Sequence, residues 1–108
     1  MKKRNARIYS NHVLEQKIDY IITRGDKISL EKFHQMGHRG TCNAIALAIG
    51  WNTMDCFLYL LDQGYPVNED ACVEALVNKD IKFLHILQER KLFQHTPTVV
   101  EIIYQFQR

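Results

Sequence analysis

Apolar residues recur three and four positions apart along almost the whole chain, and strict alternation of apolar with polar residues nowhere runs past five residues. That spacing lines one face of a helix, whereas a half-buried strand would alternate. The pattern predicts an all-α fold of about seven helices, with glycines and capping residues marking their ends. The first helix follows Ser10, turns Val13, Leu14, Ile18, Ile21 and Ile22 inward, and stops at Gly25. Ser29 caps a short helix from Leu30 to Met36, ended by Gly37. Thr41 opens a third, closed by Gly50, and Thr53 opens a fourth that runs to Gly64. Asn68 caps a fifth to about Val77, and a sixth spans about Asp80 to Glu89. Thr96 before Pro97 is a strong start signal for a seventh, since proline fits the first helical position.

So many short helices in one chain prompt a search for a period. Shifting the chain by 27 residues places Ala48 on Ala75, Ile49 on Leu76, Met54 on Ile81, Phe57 on Leu84 and Leu60 on Leu87. One step on, Val73-Glu74 falls on Val100-Glu101, and Ala75-Leu76 on Ile102-Ile103. The matched positions are those a helix pair must bury. Upstream, Ile21-Ile22-Thr23-Arg24-Gly25 echoes Leu60-Leu61-Asp62-Gln63-Gly64 at an offset of 39, which implies an insertion.

These residues resemble ankyrin repeats. Asn43 to Ile49 stands where that family has its Thr-Pro-Leu-His-Leu-Ala-Ala helix, and Leu60 to Asn68 is similar to its Leu-Leu-x-x-Gly-x-x-Val-Asn ending. The short period and the Gly64-Tyr65-Pro66 turn are similar to divergent ankyrin arrays of large DNA viruses that infect protists. The resemblance is good over residues 41–90, partial over 97–107 and weak before 40. It implies a single domain, 1–108, built as a short solenoid of helix pairs. Residues 1–10 form a basic arm, 11–40 a divergent first repeat with an inserted short helix, 41–68 and 69–95 two repeats, and 96–108 a terminal half-repeat. Two departures stand out. Ala46 occupies the family's histidine position, so the hydrogen bonds of that histidine between repeats are lost. Arg90-Lys91 replaces the turn glycine, so that turn is expected to differ.

The net charge of +2 is unevenly spread. Lys2, Lys3, Arg4 and Arg7 make the arm +4, and the remainder sums to −2. From Trp51 to Asn78 there are five acids and no Lys or Arg. Either region could steer a partner or simply be solvated. No apolar run suits a signal peptide or a membrane span. Three cysteines without a secretory signal fit a reducing, intracellular setting, cytoplasmic (the host cytoplasm for a viral protein), with a nuclear location possible through the arm.

His34, His38 and Cys42 have the spacing of metal ligands on one helix face, but Gly37 and Arg39-Gly40 should break that helix, and no fourth ligand is near. Cys56 and Cys72 align with Phe83 and Ile45 and read as small core residues. No phosphate loop or nucleophile pattern is present, so no catalytic residue, cofactor or metal is assigned. Nucleic acid is not expected as a partner, because Tyr9 is the sole aromatic in the arm.

The expected function is therefore non-catalytic protein–protein interaction, through turn tips and exposed helix faces. The alternative is an assembly component that packs with copies of itself. Trp51 is matched with the polar Asn78, so it is expected at the surface, either as a binding residue or folded over its own repeat. Tyr65 and Pro66 belong to a turn tip. Val99, Ile102, Ile103 and Phe106 should pack inward on Ile81, Leu84 and Leu87. Val100 and Tyr104 form a second strip on the C-terminal helix, available for a homodimer or a partner, or else covered by the N-terminal helix or segment 30–40.

Overall fold

The computed structural model describes residues 11–106; the basic arm lies outside them, as does the side chain of Phe106. These residues form seven helices and no strand: α1 (Asn11–Arg24), α2 (Lys27–Gln35), α3 (Ala44–Gly50), α4 (Met54–Asp62), α5 (Glu69–Val77), α6 (Lys82–Glu89) and α7 (Pro97–Phe106).

Helix ends explain the boundaries. After α4, Gly64 takes φ +82°, its N–H bonds the Leu61 carbonyl, and the Tyr65 N–H bonds the Leu60 carbonyl. This paired arrangement satisfies two of the carbonyls a helix end leaves open. Gly25 and Gly37 do the same for α1 and α2. Asn52 (φ 58°) does so for α3, so Gly50 is the last helical residue of α3 and not its stop. Lys91 (φ 59°) does so for α6, with its N–H on the Gln88 carbonyl and the Leu92 N–H on the Leu87 carbonyl. The turn expected to differ for lack of glycine therefore keeps the same form, with a side chain held in the left-handed region.

At the starts, Asn68 caps α5 by accepting the Ala71 N–H at 2.9 Å, and the Thr96 hydroxyl accepts the Val99 N–H of α7. Ser29 is not the cap of α2. Asp26 is, accepting both the Ser29 N–H and the Ser29 hydroxyl, so the helix begins three residues earlier than expected. Both residue types cap well, and the acid wins the outer position because it can hold both donors of Ser29.

Each even-numbered helix folds back on the odd-numbered one before it. The odd helices pack in chain order, α1 on α3, α3 on α5 and α5 on α7, while α2 packs on α4. Phe57 and Phe83 join α4 to α6 edge to face, with ring centroids 5.0 Å apart. Helices α2 and α4 start at Lys27 and Met54, 27 residues apart, and α6 starts one residue past that register, at Lys82. The segment after Gly25 is thus the second helix of a first pair, and no insertion is needed. Ile18, Ile45, Cys72 and Val99 lie 27 residues apart, one on each odd helix, and all are fully buried. Burying an aliphatic side chain of this size contributes about 1.5–3 kcal/mol, so the row is the spine of the fold.

Two inward expectations need correction. Ile81 is 58% exposed, because it precedes α6 as its cap residue. The principal neighbour of α7 is α5 and not α6. Side-chain hydrogen bonds link successive helix pairs. Asn68 Nδ2 donates to Asn43 Oδ1 (2.8 Å) and the Cys42 carbonyl (3.1 Å), Asn78 Nδ2 to the Ile49 carbonyl (2.8 Å), and Gln94 Nε2 to the Val67 carbonyl (2.6 Å). The Thr96 hydroxyl donates to Glu69. Among the described residues, no helix is long and apolar enough to cross a membrane.

Candidate protein-binding face

The 27-residue register puts Asp19, Ala46, Val73 and Val100 at one position of the four odd helices, and Thr23, Gly50, Val77 and Tyr104 at another one turn away. At α3 both positions are small. A groove of about 580 Å³ runs there, with Ala46, Leu47 and Gly50 of α3 among its lining, Asp19 of α1 on one side and Asp70, Val73 and Glu74 of α5 on the other. A Cβ added to Gly50 would come within 3.2 Å of Glu74 Oε1, so a larger residue would crowd the groove.

Trp51 stands at the end of this groove, 61% exposed. Asn78, its register mate, is half-buried and turned inward onto the Ile49 carbonyl. The groove is acidic. Asp19, Asp70 and Glu74 line it, with no Lys or Arg among the described lining residues. Asp19 Oδ1 is buried without a hydrogen-bond partner, and burial, aided by Glu15, pushes its carboxyl above the ordinary value.

Val100 (37% exposed) and Tyr104 (64%) lie elsewhere, on α7. With His95, Pro97 and Glu101 they line a shallower groove of about 440 Å³. No residue lines both grooves. Pro66 is exposed in the α4–α5 turn.

Tyr65 is a correction. It is 5% exposed and belongs to the core, so its ring is not offered to a partner. Its hydroxyl accepts the Gly40 N–H at 2.7 Å and lies 2.6 Å from His34 Nε2, while His34 Nδ1 lies 3.1 Å from the Tyr59 hydroxyl. The Arg39 guanidinium sits 4.5 Å from the centre of the Tyr65 ring and donates to the Gln63 carbonyl. With Gly40 N–H donating to Tyr65, the phenol proton is free to go to Nε2, leaving the Nδ1 proton for Tyr59. A neutral imidazole satisfies all three groups. Burial first, then Arg39, accordingly lowers the His34 pKa below its ordinary 6.5, and burial raises both phenols.

His34 is therefore engaged with tyrosines through both nitrogens. The His38 ring lies against Phe33 and Cys42 is exposed and free. The described residues hold no group of three or more His, Cys, Asp or Glu placed to share a metal. Cys56 and Cys72 are fully buried, and burial pushes the Cys56 thiol up to about 11, which makes it a poor nucleophile near neutral pH.

Compared with known protein families, curated proteins and solved structures, the chain has no significant match. Its site must be judged from its own geometry. Sequence reasoning placed Trp51 at the surface, where it stands, but did not bring the acids of the middle segment together with it. The lysine- and arginine-free stretch from Trp51 to Asn78 pointed to Asp70 and Glu74. Asp19 becomes visible only once the register is carried through Ala46 and Val73 into α1.

Proposed function

We propose that the protein is a non-catalytic interaction module, an ankyrin-like short solenoid that binds a protein partner across the face of its odd-numbered helices. The observation that carries this reading is the chain's single tryptophan standing 61% exposed at the end of a groove shared by α1, α3 and α5. A large exposed aromatic gains little from its own fold there, and tryptophan is prominent among residues that dominate interface energies. A row of similar helices also suits recognition, because each pair adds surface without rearranging its neighbours.

A photocrosslinking amino acid placed at position 51, and separately at Gln88 on α6, tests this in the native host. Adducts to a defined partner should form from position 51 and not from 88. Equal labelling from both, or none from 51, would remove the groove as the binding site.

A second reading has one observation in its favour. Val100 and Tyr104 leave an exposed apolar strip on α7 that none of the described helices covers. We assign this strip to self-association. Changing Val100→Glu and Tyr104→Lys together should abolish any concentration-dependent rise in mass measured by light scattering. A wild-type chain that stays monomeric at all concentrations counts against it.

A further inference from the structure

We infer that copies of this chain associate head to tail, with α7 of one copy lying against the open side of α1 in the next as α3 lies against α5, so that Tyr104 meets Tyr20 and Glu101 meets Lys17. The inference rests on the self-association reading of the Val100 and Tyr104 strip and names the surface that receives it.

The receiving surface is a second, apolar groove. It holds about 420 Å³ and is lined by Val13, Gln16, Lys17, Tyr20 and Ile21 of α1 and Phe33 of α2. No residue of α3 lines it, so it lies on the side of α1 away from α3. On the inner helices the register mates of Lys17 and Ile21 are sealed: Ala44 and Ala48 on α3, Ala71 and Ala75 on α5. Each of those helices packs between two odd-numbered ones, whereas α1 packs on α3. The groove is therefore the side of α1 that a preceding odd helix would cover. Helix α7 is of that kind, and its Val100 and Tyr104 are exposed.

The joint between α3 and α5 gives the pairing. These helices run the same way, since Asn68 before α5 bonds Asn43 before α3, and Asn78 after α5 bonds the Ile49 carbonyl near the end of α3. A Cβ on Gly50 would come within 3.2 Å of Glu74 Oε1, so the position of Gly50 faces that of Glu74 on the next odd helix. Two periods forward from Gly50 stands Tyr104, and two periods back from Glu74 stands Tyr20. Both rings are exposed, and aromatic pairs of this kind attract beyond the area they bury. One turn earlier on each helix stand Glu101 and Lys17.

Charge is complementary along the contact. Helix α7 carries Glu101 and no Lys or Arg, while this side of α1 offers Lys17 and Arg24. The acids of α1, Glu15 and Asp19, line other grooves. Arg24, whose guanidinium lies 5.8 Å from the centre of the Tyr20 ring, holds the register position of Asn78. Its corresponding acceptor is the Ile103 carbonyl in the last turn of α7, where open carbonyls and the helix dipole favour a cation. Leu14 stands where Asn68 reaches back, so this joint lacks that amide and is weaker than the joint of α3 with α5. Because the two surfaces differ, the contact does not close on itself, and copies add one after another.

Cysteine pairing tests the geometry. In a Cys42→Ser background, which removes the exposed native thiol, one chain carries Tyr20→Cys and another Tyr104→Cys. A short bis-maleimide linker should join the two chains when mixed, as a heterodimer identified by mass, and should join neither to itself. Light scattering supplies an independent reading. Lys17→Glu should raise the concentration at which mass increases by about 2–5-fold, as for loss of a surface ion pair, and adding Glu101→Lys to the same chain should bring it back. All four positions are exposed, so the helix content of each variant should match that of the native chain by circular dichroism. Self-linking of the Tyr104→Cys chain would mean that α7 pairs with α7, and self-linking of the Tyr20→Cys chain that α1 pairs with α1. Either overturns the inference while self-association stands. Absence of any link, in a chain whose native mass rises with concentration, overturns it equally. A native chain that stays monomeric at every concentration removes the self-association reading and this inference with it.

Discussion

Trp51 and Tyr65 are both aromatic residues beside a helix end, and both were expected at the surface. Trp51 follows α3 and stands in solvent, while Tyr65 follows α4 and is nearly sealed. The turns are built alike, each with a left-handed residue and the same two carbonyl bonds. The difference lies in what waits on the other side. Tyr65 meets Gly40, whose missing side chain leaves room for the ring: a Cβ there would press within 3.0 Å of Ile18 and 3.6 Å of Tyr65. Its hydroxyl then finds both a backbone donor and a histidine. Trp51 has no such receiving site, and its register mate Asn78 shows that the adjoining carbonyl is reached better by a short amide. An aromatic at a turn goes inside when both its ring and its polar tip have somewhere to go.

Tyr65→Ala should break the comparison most severely, with a loss of about 3–5 kcal/mol as for other buried aromatic truncations, measured by urea denaturation. A loss under about 1 kcal/mol would mean that the site can collapse or that the ring contributes little. Tyr65→Phe keeps the ring and strands the Gly40 N–H and one nitrogen of His34, which should cost about 1–3 kcal/mol.

The same network predicts a pH response. Because the folded His34 pKa lies below 6.5, both states are neutral at higher pH and the contribution of the network is intact there. As pH falls through 6.5 the unfolded chain gains a proton that the folded chain refuses, so stability declines until the folded pKa is reached and then levels off. Urea midpoints across pH 5–8 should show this slope, and His34→Gln should reduce it; an unchanged slope would assign the response to other groups.

Lys91→Gly tests the shared turn geometry. It should stabilise the chain by about 0.5–1 kcal/mol, since relief of the left-handed strain outweighs the added freedom of the unfolded glycine. Destabilisation would show that the lysine side chain makes a compensating contact. Trp51→Ala should be smallest, within about 0.5 kcal/mol, as at other exposed positions. A cost near that of Tyr65→Ala would place the indole in the core and remove the basis of the proposed interaction.

Much of the fold was legible because glycine, proline and short polar caps act within a few residues of the helix end they set. Gly25, Gly37, Gly64, Asn68 and Thr96 all act locally. Lys91 misled because nothing in a lysine announces a positive φ; the neighbouring hydrogen bonds impose it. The first helix pair was misplaced because its second helix carries His34 where the next two pairs carry Leu61 and Gln88, so the register is hidden by polar exchange. Tyr65 misled for a different reason. Its partners Gly40 and His34 lie 25 and 31 residues away, beyond any local pattern. The carboxylate groove shares that property, being assembled from three helices.

The side-chain bonds that join the helix pairs reach across 24 to 31 residues, for example from Arg39 to Gln63 and from His34 to Tyr65, and so connect each pair only to the next. Duplicating residues 41–67 in place would set Thr41, Trp51 and Val67 of the second copy where Asn68, Asn78 and Gln94 now reach the preceding pair, so one joint would lack these side-chain amide donors unless they were grafted in. Resizing such a molecule therefore means copying a helix pair together with the three amide side chains that fasten it to the one before.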